Sequence, residues 1–330
     1  SGALCAGHGL SFGPAVRRVL GEIWVLGVLA CGAVDSVIAR IMFYVDEDSK
    51  GCLSMRDLRR SSLVHIWCSL NPSTELSAVR KFFSYDHFYV LYCTFHELDE
   101  DDDFLLHRSD LCKYQGHSIS ALVEARLFSQ AAHSFTCQKP HHINFDDWIW
   151  FVLAYHEVTL PKALRFWFDV FDLDGDGLLR DHELEAAFES QAERLRARDG
   201  RAQSYKEFIC QLGECGVCGE LWVCSSDALG LPTAAAAAGI SVSDLLQSPA
   251  AAAVLINCLL KAHVLKAFED GEALHTLAEP PALERALFAG FTPFEVYAHS
   301  EYAAFTAQRY EEAAAEGPTG GTSPEGNLSD

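Results

Sequence analysis

The sequence predicts an all-helical (all-α) protein built from about six helix–loop–helix units, arranged as tandem pairs in two lobes. The first observation is the segment 172–183, where acidic side chains recur at alternate positions of a twelve-residue loop. The second is a pattern that occurs six times: an apolar residue, the last position of a loop four residues later, and another apolar residue directly after it. The third is the apolar spacing of the flanking segments, which is typical of amphipathic helices.

The loop 172–183 has side chains of the type that bind a hard cation. Counted from Asp172, carboxylates stand at positions 1, 3, 5 and 12, Gly177 stands at position 6, and a main-chain carbonyl is available at position 7. This is the EF-hand calcium loop. Arg180 at position 9 cannot bind the ion, so we expect water at that corner; the alternative is an acidic turn between two helices. The predicted calcium ligands are Asp172, Asp174, Asp176, Leu178 and Glu183.

The recurring pattern divides the chain into hands. Its segments begin at Leu53, Phe83, Leu106, Ile143, Leu179 and Ile240. In an EF-hand this apolar residue is position 8, which forms a short β-bridge with the neighbouring hand, so six matches predict three pairs. Hands two, four and six would begin near Leu76, Thr136 and Thr233 and lack carboxylates at positions 1, 3 and 5. The even hands are therefore predicted to be degenerate, structural partners of the odd ones.

Hand one keeps part of the ligand pattern. Its candidate calcium ligands are Asp46, Asp48, Ser54 and Asp57. Lys50 places a cation at position 5, and Asp57 is shorter than the glutamate that usually binds with both oxygens at position 12. A calcium site and a silent loop are both open interpretations of this hand.

Hand three contains the acidic run ELDEDDD at 97–103. Its candidate calcium ligands are Asp99, Asp101, Asp103 and Asp110. Phe104 replaces the glycine at position 6, and an aromatic side chain is expected to resist the positive φ of that turn. The alternative is a solvated acidic loop.

The cysteines suggest a compartment and a second type of metal site. Twelve cysteines at irregular spacing suit a reducing compartment. A group with one C-x-x-C pair and two outlying thiols could bind zinc, although a reduced, partly buried loop is the default interpretation. This group is Cys210, Cys215, Cys218 and Cys224. His141 and His142 are adjacent, so they point apart and are expected in a surface turn.

Length and charge limit the possible functions. The 330 residues allow two lobes with cores of their own, predicted at 34–155 for hands one to four and at 156–315 for hands five and six with C-terminal helices. The formal charge of −21 argues against nucleic acid and anionic membranes as partners. The apolar run at 23–34 is too short to span a bilayer. Residues 1–33 form an N-terminal segment, and the tail 316–330 has the composition of disorder. No phosphate-binding glycine loop, G-x-S-x-G or H-E-x-x-H motif is present.

Several segments resemble the B'' regulatory subunits of protein phosphatase 2A. The similar stretches are 53–63, 83–111, 143–153, 165–191 and 291–316. The resemblance includes the phenylalanine at position 6 of hand three, which makes it specific, because a generic EF-hand would not keep that residue.

The resemblance implies a regulatory protein without catalytic activity. Subunits of this family join a catalytic subunit and a helical-repeat scaffold in a heterotrimer, and they direct the choice and location of phosphoprotein substrates. Two hands are credited with calcium in the family, corresponding here to hands one and five. An upstream hydrophobic segment helps to dock the scaffold, and residues 1–33 are expected to hold part of it. The expected location is the cytoplasm, with the nucleus and the cytoskeleton or centrosome as alternatives.

Two other functions stay open. One is a free-standing EF-hand calcium sensor or adaptor, whose hands open to bind partner helices. Sensors of that kind are rich in methionine at the groove, whereas this chain has two methionines. The other is a metal or redox switch built on the cysteine loop.

Overall fold

The computed structural model describes residues 29–70, 80–129, 135–214, 239–271 and 289–315, and the regular secondary structure of this part of the chain is almost entirely helical. The predicted all-helical fold is therefore confirmed. Some predicted features lie outside the described residues: most of the N-terminal segment 1–33, residues 71–79 of hand two, residues 233–238 of hand six, Cys215, Cys218, Cys224 and the tail 316–330.

The helices follow the predicted order of the hands. The helices around hand one are Leu29–Val45, Met55–Arg60 and Leu63–Ser69. The loop of hand three lies between the helices Tyr85–Leu98 and Arg108–Leu111. Hand four lies between Ala121–Phe128 and Phe145–His156. Hand five lies between Pro161–Phe171 and Asp181–Asp199, hand six between Tyr205–Glu214 and Val242–Gln247, and Pro249–Leu260, Ala262–Glu269 and Pro293–Ala315 follow. Residues Tyr114–His117 form a tight turn rather than a helix, since Gln115 has a φ of 50°.

Several exit helices begin with the same capping chemistry. The side chain at position 9 accepts the N–H of position 12, and the carboxylate at position 12 accepts the N–H of position 9, which is a capping box. The pairs are Ser54 with Asp57, Asn144 with Asp147 and Ser241 with Asp244. An acid at position 12 therefore stabilises the start of the helix even where the loop has no other ligand.

Two of the three predicted β-bridges are present. Leu106 pairs with Ile143 in an antiparallel ladder between hands three and four. Leu179 pairs with Ile240 between hands five and six, with N–H···O distances of 2.8 and 2.9 Å. These are the position-8 residues of the four hands, so the sequence pattern gives the register of both pairs.

The third predicted bridge, between Leu53 and Phe83, is not formed. The N–H of Phe83 donates instead to the carbonyl of Lys81 at 2.8 Å, and Phe82 has a φ of 64°, so the backbone turns away at this point. The Leu53 and Phe83 side chains still pack in one small buried cluster of the first hands. Apolar packing, without a β-bridge, joins these segments.

The main hydrophobic core contains buried side chains from hands three to six and from the C-terminal helices. Trp148 and Trp167 are fully buried in it. Their indole N–H groups donate to the carbonyls of Leu91 at 3.1 Å and Ala154 at 2.7 Å, which satisfies the polar atom of each ring. The lobe boundary at residue 156 stays a prediction, as do the other domain limits.

A buried carboxylate joins the last helix to the first hand. Glu157 lies in the link between hands four and five and accepts the Tyr44 hydroxyl at 2.8 Å and the N–H of Phe294 at 3.2 Å. Burial raises the pKa of Glu157. Tyr302 of the same last helix meets Tyr89 edge to face, with ring centroids 5.6 Å apart. The C-terminal helix is thus part of the fold of the first hands.

Among the described residues, no individual helix has the length and apolarity of a membrane span. The helices Pro249–Leu260 and Ala262–Glu269 meet that criterion only as a pair, and they bend by 108° where they join.

Candidate calcium sites in the acidic loops

The loop of hand five lies between two well-buried helices. Its entry helix, Pro161–Phe171, begins with a proline, whose missing N–H costs nothing at that position. The predicted apolar face is buried, with Leu164, Trp167 and Phe168 each at most 2% exposed. Gly175 and Gly177 have φ values of 74° and 82°, so the chain can double back on itself.

The three aspartates of hand five point into this loop. Asp172 is 6% exposed, and its two oxygens accept the N–H groups of Gly175 at 2.8 Å and Gly177 at 3.0 Å. Asp174 and Asp176 each accept the N–H two residues further on, at 3.0 and 2.9 Å. One oxygen from each of the three carboxylates lies within 4.8 Å of the others. The loop thus collects negative charge around one point.

Glu183 closes the loop from the exit helix. Its side chain is fully buried, and Oε1 accepts the N–H groups of Leu173 at 2.6 Å and Asp174 at 3.3 Å. Oε2 accepts the N–H of Arg180 at 2.9 Å. A buried carboxylate is costly unless it is paired. Three N–H groups supply part of that pairing, and a cation in the loop would supply the rest.

The donor set of hand five fits calcium. The candidate groups are carboxylates and the Leu178 carbonyl, and Ca²⁺ binds six to eight oxygens. Each carboxylate oxygen can accept more than one contact, so the hydrogen bonds to the loop leave lone pairs for an ion. The five residues that would hold calcium are those predicted, and their role as ligands stays a prediction.

Arg180 has a second role that its position in the loop did not reveal. Its guanidinium donates to Asp176 Oδ2 through Nε at 2.9 Å and Nη2 at 2.6 Å. These bonds hold the pKa of Asp176 below its usual value. The residue at position 9 therefore fixes the carboxylate at position 5. The spacing of four residues between opposite charges was the available signal.

In hand one, a lysine of the chain itself pairs with one of the candidate calcium-ligand carboxylates. The Lys50 ammonium pairs with Asp48, and this contact lowers the pKa of Asp48. Asp57 accepts the N–H of Ser54 at 2.8 Å and the Ser54 hydroxyl at 2.6 Å. The two predicted ligands Ser54 and Asp57 therefore bind each other at the start of the exit helix. Among the described residues, the acids of hand one form no close group of the kind seen in hands three and five.

Replacing Lys50 with aspartate is expected to add a second calcium ion. The change removes the competing ammonium and supplies a carboxylate at position 5. Titration calorimetry of the chain should show one more equivalent of calcium than the wild type. Lys206→Asp is the matched control, because it replaces an exposed lysine and changes the net charge equally. Unchanged stoichiometry would place the defect at Asp57 or in the turn.

Hand three adopts the calcium-loop turn despite its phenylalanine. Phe104 has a φ of 61°, so the expectation that an aromatic residue resists this conformation is wrong for this loop. Asp99 is 2% exposed and accepts the N–H groups of Phe104 at 2.9 Å and Asp103 at 3.3 Å, which offsets the backbone strain. The Phe104 ring is 60% exposed and packs edge to face on His96.

A lysine of hand four contacts the acidic group of hand three. Carboxylate oxygens of Asp99, Asp101 and Asp103 lie within 4.8 Å of one another. Lys139 donates to Asp103 Oδ2 at 3.1 Å and lowers the pKa of that carboxyl. Asp110 accepts the N–H of His107 at 3.0 Å, so it caps its own helix. Calcium binding by this hand stays a prediction.

Hand four is closed by its own hydrogen bonds. Asp147 at position 12 is buried and accepts the N–H and hydroxyl of Thr136 at 2.8 and 2.9 Å and the N–H of Cys137 at 2.9 Å. It therefore ties the end of the loop to its beginning, as Glu183 does in hand five. His141 is exposed in the turn, with a φ of 61°.

Of the predicted zinc group, only Cys210 belongs to the described residues. It is a free thiol of intermediate exposure on the helix Tyr205–Glu214. The other three cysteines lie outside those residues, so the zinc hypothesis stays a prediction.

Comparisons with known proteins identify relatives for about half of the chain. It is 34% identical over 178 residues to a probable B''delta regulatory subunit of serine/threonine protein phosphatase 2A from Arabidopsis thaliana, covering 54% of this chain and 33% of that protein. It is 35% identical over 180 residues to the human B''-beta protein of the same regulatory class, covering 54% and 31%. It is 39% identical over 166 residues to the mouse B''-delta protein, covering 50% and 34%. No family model matches.

The chain spans about a third of the length of these three relatives. A solved chain described as a PP2A PR70 holoenzyme, with diCa in its description, has the same fold: the TM-score is 0.63 and the identity 24%, over 77% of this chain and 90% of that one. The resemblance to the B'' regulatory subunits is confirmed.

Proposed function

We propose that this chain, which resembles the B'' regulatory subunits over about half of its length, is a calcium-binding regulatory subunit of a protein phosphatase 2A heterotrimer. Its partners would be the scaffold and catalytic subunits, and its effect would be on which phosphoproteins are dephosphorylated and where. The observation on which this rests is identity of 34 to 39% to proteins named as B'' regulatory subunits in plant, human and mouse.

Calcium binding is proposed for hand five. Its four carboxylates and one carbonyl are oxygen donors of one twelve-residue loop, and two of the carboxylates, those of Asp172 and Glu183, are buried. The related solved structure is described as diCa. In this chain Lys50 pairs with a ligand position of hand one, which favours a single calcium ion at hand five.

The chain is proposed to have no catalytic activity of its own. Its relatives are named as regulatory subunits. The proposed location is the cytoplasm, where a reducing environment suits twelve cysteines at irregular spacing, with the nucleus and the cytoskeleton or centrosome as alternatives.

The alternative is a free-standing calcium sensor whose hands open a groove for a partner helix. Two observations disfavour it. The chain has two methionines, which leaves little of the adaptable surface that such grooves use. The exit helix of hand five is also tied to a neighbouring segment by the buried Gln191 side chain, which donates to the carbonyl of Ser118 at 2.8 Å.

Co-elution with a purified scaffold–catalytic core tests the proposal. The chain should join the core on size exclusion and change the rates at which a panel of phosphoproteins is dephosphorylated, while showing no hydrolysis alone. Absence of co-elution in both calcium and chelator, together with calcium-dependent binding of amphipathic helical peptides, would favour the sensor.

A further inference from the structure

The segment that leads from hand three into the entry helix of hand four contacts the calcium loop of hand five. This connector (residues 117–126) includes the first part of the helix Ala121–Phe128. Arg126 donates through Nε to the carbonyl of Val170 at 3.0 Å, and through Nη2 to the carbonyls of Asp169 at 2.9 Å and Asp172 at 2.6 Å. These carbonyls lie where the entry helix of hand five ends and the loop begins.

A guanidinium is well suited to this position. The last carbonyls of a helix have no partner within the helix, and they form the negative end of its dipole. Arginine offers a rigid fork of donors that can bind several such oxygens at once. One of the three bonds goes to the main chain of Asp172, the first predicted calcium ligand. Arg126 therefore restrains the backbone from which that carboxylate extends.

The same connector also contacts the exit helix of hand five. Gln191 is fully buried and donates to the carbonyl of Ser118 at 2.8 Å. The N–H of Leu122 donates to the Ser190 hydroxyl at 3.1 Å, and Arg194 donates to the carbonyl of His117 at 3.3 Å. Both helices of hand five are thus attached to one short segment, which restricts the angle between them.

We propose that Arg126 is a positioning residue for calcium in hand five, and that the connector keeps the two helices of this hand at a fixed angle. The inference rests on the proposed calcium site. With Arg126 present, the end of the entry helix and the Asp172 backbone are ordered before the ion arrives. Without it, part of the binding free energy must order them, so the affinity falls.

The fixed angle has its own consequence. A sensor hand changes the angle between its helices when it binds calcium. Here such a change would break the contacts of Arg126 or those of Gln191 and Ser190. Calcium is therefore expected to tighten the loop while the two helices keep their arrangement.

Titration calorimetry of Arg126→Gln in the full chain tests the positioning role. The dissociation constant for calcium should rise about tenfold, which corresponds to about 1.4 kcal/mol, with unchanged stoichiometry. Arg126→Lys should have an intermediate effect, since one ammonium cannot reach three carbonyls. If Arg126→Gln does not fold, the dissociation constant of Arg126→Lys tests the positioning role. Arg165→Gln, an exposed change on the entry helix of hand five, should leave the constant as in the wild type.

Hydrogen exchange gives a second readout of the same variants. In chelator, Arg126→Gln should exchange faster over residues 161–172 than the wild type, and calcium should restore most of the protection. In the wild type, calcium should raise the protection of the buried part of the exit helix (residues 184–195) only by the same factor as in the rest of the core, because that factor reflects global stability. A calcium effect on the exit helix that differs from that of the rest of the core would overturn the fixed angle.

The possible failures are distinguishable. A purely structural arginine would lower the melting temperature equally in calcium and chelator and leave the dissociation constant unchanged, which would overturn the positioning role while the calcium site stands. If calorimetric titration of the wild-type chain with calcium shows no heat of binding, the calcium site and the positioning role are both overturned.

Discussion

Glu183→Gln is expected to abolish tight calcium binding and the stabilisation that calcium provides. Glutamine keeps the shape of the side chain but loses the charge and one of the two acceptor oxygens. An ion present at a hundred times its dissociation constant stabilises the wild type by roughly 2.7 kcal/mol. With an unfolding entropy of roughly 2.1 cal/mol/K per residue, this is about 4 °C in melting temperature for 330 residues.

The quantity to compare is the difference between calcium and chelator, measured by scanning calorimetry on each variant. Glu183 also accepts three loop N–H groups, so its variant should be less stable even in chelator. Glu185→Gln is the matched control, because Glu185 is exposed on the same helix. A calcium shift that survives in Glu183→Gln would place the stabilising ion outside hand five.

Asp147→Ala is expected to destabilise the protein by about 3 kcal/mol with no dependence on calcium. The change removes the acceptor for two donors of Thr136 and one of Cys137 from the closure of hand four. Each hydrogen bond to a charged group contributes roughly 1.5 to 3 kcal/mol to the free energy of unfolding. In the variant, water can bind the donors that lose the carboxylate, which recovers part of the loss. Asp147→Asn should be intermediate, because it keeps one acceptor oxygen.

Denaturant titration in calcium and in chelator measures this effect. Asp146→Ala is the control: Asp146 is the exposed neighbour in the first turn of the same helix, where a carboxylate contributes at most about 1 kcal/mol. Equal effects of the two substitutions would contradict the loop-closing role of Asp147. An effect of Asp147→Ala that disappears in chelator would indicate that hand four acts through an ion.

The features of hand five were predictable because they are local. Its ligands fall within twelve residues, and the glycine turn and the apolar flanks are part of the same short pattern. The bridges at Leu106–Ile143 and Leu179–Ile240 were predictable for a related reason, since one pattern repeats at each position 8.

Two expectations failed where local rules met tertiary packing. Phe104 takes the positive φ that its side chain disfavours, because the buried Asp99 binds the backbone of the turn. Leu53 and Phe83 follow the bridge pattern but share only a side-chain cluster, because a tight turn uses the Phe83 N–H. In both places a local hydrogen bond determines the backbone conformation.

The cations that contact the loops were the least predictable. Lys139 is 36 residues from Asp103, and Arg126 is 46 residues from Asp172. No sequence pattern joins residues at such distances; their contacts depend on how the hands pair and on where the connector packs. Lys50 and Arg180 lie within their own loops and were recognised as non-ligands. The four-residue spacing of Asp176 and Arg180 was a signal of their pairing, whereas the pairing of Lys50 with Asp48 required the structure.

The most direct test of the regulatory role is the affinity of the chain for the scaffold–catalytic core, measured in calcium and in chelator. Allosteric coupling typically amounts to about 1 to 3 kcal/mol, so the wild-type affinity should change by roughly five- to 150-fold between the two conditions. Glu183→Gln should bind the core equally in both, and Glu185→Gln should behave as the wild type. A chain that binds the core neither in calcium nor in chelator would contradict the account.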